Sequence, residues 1–200
     1  MQSDGANKQR SSLDHTTAGL WYGRGSQYFV ASYALERSVE GEYLYADLAI
    51  VTCRALATEF YLKSLLTLAE VHIPKTHNLK TLFYLLPLNW RQRLGKAWQK
   101  NTENTRKRPG NKSMPFKMPH TLARALNQSA LAFDNFRYDG RSPALWTLLS
   151  FPHQLRSLIH EYKPAWEHWV PVVGSSLDPD VGADPEEEAR ILHEIRRMKL

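Results

Sequence analysis

Arg156 and His160 stand four residues apart in a stretch whose apolar positions are Leu155, Leu158, Ile159 and Tyr162. On a helix, positions i and i+4 project about 40° apart, so the two side chains share a face, with His153 close to it. Histidine titrates near neutral pH and moves a proton, while arginine keeps its charge and steadies a developing anion. The pair therefore suits metal-free acid–base chemistry; the same residues also fit the solvated edge of a core helix. Glu59 precedes Lys63 by four residues, the order that favours a helical ion pair worth about 0.2–0.5 kcal/mol on a surface. Inside a bundle that pair needs further partners, and His77, Arg137 and Tyr138 are the candidates for a polar core network or small pocket. His77-Asn78 also precedes an apolar run, where Asn78 or Thr76 caps a helix and His77 bonds to backbone. Arg137-Tyr138 follows Phe136 at a helix end, where Arg satisfies terminal carbonyls and Tyr packs. Eight histidines contain no H-E-x-x-H or H-x-H spacing, and the series His153, His160, His168 is interrupted by Pro164. One cysteine, Cys53, excludes an internal disulfide and a thiolate zinc site built from this chain alone, so no metal and no cofactor are expected. Neither a Gly-rich phosphate loop nor a nucleophile elbow is visible.

The net charge of +6 is unevenly spread. Residues 73–120 carry eleven bases against the single acid Glu103, whereas residues 164–200 are acidic, with Glu186, Glu187 and Glu188 adjacent. Lys80, Arg91, Arg93, Lys96, Lys100, Arg106, Lys107 and Arg108 would attract a polyanion by counterion release, and RNA is the natural candidate. Trp90 and Trp98 lie among these bases, where single-stranded bases could stack on them. The same charge also fits a solvated loop or a docking zone for the acidic tail, and the same rings also fit a bundle core or a dimer interface.

These residues must be positioned by helices. The run 26–39 has helical spacing of Phe29, Val30, Tyr33 and Leu35, and 42–71 continues without Gly or Pro, predicting a long buried helix. Residues 79–86 predict a short helix stopped by Pro87, and Asn89 a cap for the next. With three prolines and one glycine, 102–120 reads as an irregular basic loop insertion. An amphipathic run follows over 121–136. Ser142 and Pro143 open a last bundle helix to 162, kinked or divided at Pro152. The expected organisation is a flexible leader over 1–25, a bundle over 26–169, a linker over 170–185 and a separate C-terminal helix over 186–200. Asp184 and Glu187 form a capping box for that helix. Strand patterning is nearly absent, so the fold class is all-α, an up-and-down bundle of four to five main helices. No apolar run approaches the roughly 18 residues of a membrane span, and the start lacks a secretory apolar core. A cytoplasmic location and no membrane partner are expected.

Taken together, Glu59-Phe60-Tyr61-Leu62-Lys63, then Lys75-Thr76-His77-Asn78-Leu79, then Phe136-Arg137-Tyr138 resemble the HEPN superfamily over roughly residues 30–163. The resemblance implies a helical bundle, often a homodimer, in proteins tied to RNA cleavage, toxin–antitoxin pairs, defence or stress, with RNA or an RNA-associated protein as partner. Nuclease members of that family carry an Arg and a His separated by four to six residues late in the domain. Here the late pair Arg156 and His160 has three intervening residues, and the one pair with the family gap, Arg10 and His15, lies in the leader. The expectation is therefore an RNA-associated binding or regulatory module. A divergent metal-free endoribonuclease using Arg156 and His160, with histidine moving the 2′-hydroxyl proton, is the alternative, and a protein-only adaptor is a third.

Overall fold

The computed structural model describes residues 4–38, 43–107, 119–131 and 145–168. They form an all-α helical bundle: α1 Asp4–Ser38, α2 Tyr43–Leu68, α3 Leu79–Leu85, α4 Leu88–Lys107, α5 Leu122–Ser129, α6 Leu145–Tyr162, and a 3-10 turn, Pro164–His168. The chain divides after Trp169, and every described residue belongs to the first unit, Met1–Trp169. No helix among the described residues is long and apolar enough to cross a membrane.

α2 is the hub because it is apolar on most sides, which only a helix surrounded by others can sustain. Val51, Ala55, Leu62, Leu65 and Leu66 are buried, and α1, α3 and α6 all pack on it. It ends in a Schellman cap: Val71 N donates to Leu66 O and Glu70 N to Thr67 O. Glu70 takes the left-handed position (φ 56°), which favours glycine. α3 starts where its sequence predicts, the Asn78 side chain accepting from Thr81 N. α4 and α5 complete the bundle by packing on each other and on α6.

Four sequence expectations change. Part of the predicted leader is bundle: α1 extends back through it, Ala18 and Tyr22 are buried, and the Ala18 carbonyl accepts from Ser64 Oγ at 2.9 Å. Glycines are what conceal this segment. A Cβ on Gly25 would lie 2.8 Å from the Tyr61 ring and 3.3 Å from the Ala57 carbonyl, so here glycine permits close approach of α1 and α2 rather than breaking a helix. Next, α4 begins at Leu88, not behind Asn89, with Trp90 N and Arg91 N both donating to Pro87 O. It also runs on to Lys107, so residues 102–107 of the predicted loop are helical. The reason is packing: Thr102 continues the buried row of Trp90, Leu94 and Trp98 and donates to the Trp98 carbonyl. Last, Pro152 lies inside an unbroken α6. Its missing N–H costs one helical bond, and Arg54 Nη1 donates to the neighbouring Leu149 carbonyl at 3.2 Å. The remainder of the 102–120 loop from 108 to 118, the stretch 132–144 and the predicted linker and C-terminal helix over 170–200 lie outside the described residues.

Candidate functional site

Two helices bring Arg156 and His160 to a residue that sequence reasoning missed. Tyr22 of α1 is fully buried, and its hydroxyl lies 2.7 Å from His160 Nε2, 3.1 Å from the Trp166 carbonyl and 3.4 Å from Arg156 Nε. A phenol has one proton to give and two lone pairs to fill. All three contacts are satisfied when Tyr22 donates to Trp166 O and accepts from Arg156 and from the Nε2–H tautomer of His160. Tyr61 packs beside Tyr22, ring centroids 5.7 Å apart, and shares a 3.2 Å bond with Ser26. Burial pushes the Tyr61 phenol well above the usual tyrosine range, so it stays protonated. Burial also works against the Arg156 charge, but the Tyr22 hydroxyl bond, with Tyr22, Tyr61 and Glu167 around it, outweighs that and raises its pKa. The arrangement is a cation and a histidine bound to one buried phenol, a lock between α1 and α6.

The same seam continues along α1. Tyr33 Oη lies 2.6 Å from His153 Nε2, and the His153 ring meets Phe29 edge-on at 4.7 Å. Desolvation, followed by the charges of Arg54 and Arg156, lowers the His153 pKa below its ordinary value. Arg54, only 3% exposed, donates to Ser32 Oγ at 3.2 Å, Leu149 O at 3.2 Å and Glu36 Oε1 at 2.7 Å, and lies over the Tyr33 ring. One signal could have found it: a lone charge inside the apolar run Ala49-Ile50-Val51-Thr52-Cys53-Arg54-Ala55-Leu56. Nothing local points to Tyr22.

Glu59, Lys63 and His77 are brought together. Glu59 is 2% exposed, accepts from Lys63 Nζ at 2.6 Å, and takes the Nδ1–H of His77 at 3.1 and 3.0 Å on its two oxygens. His77 thus bonds a carboxylate and fastens the turn before α3 to α2. Lys63 also lies over the Trp21 ring at 5.3 Å. Arg137 and Tyr138, the other predicted members of this network, lie outside the described residues. Among the described residues no group of three or more His, Cys, Asp or Glu side chains is placed to hold a metal ion.

The basic candidates divide by face. Trp90 is 6% exposed and donates its Nε1–H to Tyr162 Oη at 2.8 Å; Trp98 is fully buried and donates to the Pro119 carbonyl at 3.0 Å. Both are core residues, which corrects the expectation that they stack with bases. Spacing is the reason: Trp90, Leu94, Trp98 and Thr102 recur every four residues and form the inward row of α4. Arg93, Lys96, Lys100, Arg106 and Lys107 are exposed on α4, and Lys80 is half-buried on α3. Arg93 pairs with Glu161 of α6, and Arg106 bonds His120 at 2.9 Å. Lys96, Lys100 and Lys107 have no acidic partner within ion-pair distance among the described residues. Arg91 lies over the Tyr84 ring at 5.8 Å, and Arg108 is outside the described residues. No family model, curated protein or solved structure matches the chain.

Proposed function

We propose that this chain is an RNA-associated binding or regulatory module whose strand-contacting surface is the exposed basic face of α4. The observation that carries it is the row Arg93, Lys96, Lys100 and Lys107, exposed on one helix whose single acid is Glu103. Lys96 and Lys100 stand at i and i+4, where like charges destabilise a helix by about 0.2–0.5 kcal/mol. A bound polyanion turns that cost into attraction, and each phosphate contact on a single strand steepens the logarithmic salt dependence of affinity by about 0.7. A protein that travels with RNA would meet the same face with its own acidic surface. The test is affinity for a single-stranded RNA over a range of salt concentrations. Replacing Arg93, Lys96 and Lys100 by Ala should weaken binding and reduce the slope by about 2. An unchanged slope, or no salt-sensitive binding by the wild type, would end this reading.

A second reading, a divergent metal-free endoribonuclease, draws on the convergence of Arg156 and His160 on Tyr22. It asks His160 to leave Tyr22 and move the 2′-hydroxyl proton while Arg156 meets the phosphate, with the site completed across a homodimer. Cleavage of an RNA pool in EDTA, lost in both Arg156→Ala and His160→Ala, would replace the binding module by this enzyme. Neither cleavage nor binding would leave a protein-only adaptor.

A further inference from the structure

Between α3, α4 and the start of α5 lies a groove of about 260 Å³. Its α4 wall is Arg91, Gln92, Gly95 and Gln99, a single helical face, and Tyr84 and Thr121 stand opposite. Gly95 is the informative residue. Glycine in a helix interior costs about 1 kcal/mol relative to alanine, yet a Cβ at Gly95 would meet nothing within 4 Å. No packing within the described residues asks for glycine here, and its effect is to leave the groove open.

What surrounds that space is chemically specific. Tyr84 is 44% exposed, and the Arg91 guanidinium lies 5.8 Å from its ring centroid. Arg91 lines the groove, and its Nε is buried with no hydrogen-bond partner among the described residues. Ring and guanidinium planes are what nucleobases stack on, and the amides of Gln92 and Gln99 offer both donors and acceptors to a base edge. The volume suits one planar ring system rather than a drug-sized ligand, for which about 300–1,000 Å³ is usual. Lys96 adjoins the lining residue Gly95, and Lys80 precedes the lining residues Phe83 and Tyr84 by one turn of α3, so both can supply cations for the phosphates on either side of such a base.

We infer that this groove receives one unstacked base of the RNA strand that lies along α4, with Tyr84 and Arg91 as its stacking partners. This inference rests on the RNA reading above and gives that reading a stacking site in place of the two buried tryptophans. The probe is a single-stranded RNA carrying one 2-aminopurine, mixed with the full chain and followed by anisotropy and by 2-aminopurine emission. The wild type should bind with a change in emission. Tyr84→Ala should bind about tenfold more weakly, the loss of one base–aromatic stack. Gly95→Leu should block the groove from the helix side, abolish the emission change and keep the salt slope, since it removes no cation. Because Gly95→Leu also gains helix propensity, its melting temperature should match or exceed that of the wild type, which keeps a loss of binding interpretable. Wild-type affinity and emission in both variants would overturn the groove and leave the RNA reading standing. No salt-sensitive RNA binding by the wild type would overturn both.

Discussion

Arg54 and Lys96 are both cations on helices of one bundle, and they live under opposite rules. Arg54 is buried, with a carboxylate, a hydroxyl, a carbonyl and an aromatic ring around its guanidinium. Lys96 is exposed, and among the described residues no carboxylate lies within ion-pair distance of it. The seam of α1, α2 and α6 spends polar chemistry on holding helices together, because a buried charge left unpaired costs several kcal/mol. On the outer face of α4 Arg93 pairs with Glu161, but Lys96, Lys100 and Lys107 meet no carboxylate within ion-pair distance among the described residues and keep their charge for whatever arrives. The difference teaches where to look for function: a satisfied polar cluster is structure first, and an unsatisfied one is an invitation.

That contrast can be broken by measurement. The largest effect should come from Glu59→Ala, which strands the Lys63 ammonium and frees the His77 turn. Chemical denaturation should record a loss of about 3–5 kcal/mol, with the salt slope of RNA binding unchanged in the protein that remains folded. Gly25→Ala comes next. It gains helix propensity but drives a methyl into the Tyr61 ring, so the net loss should be about 1–3 kcal/mol. A stabilised Gly25→Ala protein would mean that α1 and α2 are not in close contact there.

A smaller effect concerns pH. His153 is held below its ordinary value of 6.5 by desolvation, then by Arg54 and Arg156, so the unfolded chain takes up a proton that the folded chain refuses. The sign follows: stability is full above 6.5, falls as pH drops from there toward the lowered folded value, and levels off below it. His153→Phe should flatten that part of the curve, read as melting temperature between about pH 7.5 and pH 5. An unchanged profile would separate His153 from the acid sensitivity of the seam. The smallest effect on stability belongs to the triple α4 variant of Arg93, Lys96 and Lys100, within about 0.5 kcal/mol per site. A large destabilisation there would erase the distinction between the two regions, because it would make the α4 face structural as well.

Much of this was legible from residue types. The Asn78 cap, the long α2 and the Glu59–Lys63 pair follow from spacings of three or four residues, the range over which a helix organises its own neighbours; His77, 18 residues from Glu59, reaches that pair only through the fold. The tryptophans were legible too, though nearness to Arg91 and Lys96 in sequence drew attention from the four-residue rhythm that turns Trp90 and Trp98 inward. The N-terminal part of the bundle was not. Gly19, Gly23 and Gly25 dilute the apolar pattern of α1, and the value of Gly25 appears only against its neighbour, since a Cβ there would strike Tyr61.

By itself the sequence determined an all-α chain, the Asn78 cap of α3 and which charges crowd its middle, because periodicity, caps and composition act over a few residues. Tertiary structure alone decided that Tyr22 meets His160 across 138 residues, that Arg54 reaches Leu149, and that Gly95 opens onto a groove. Those outcomes depend on which helix faces lie against each other, and that choice is made by burying apolar area across the whole bundle, a sum that no short window of sequence contains.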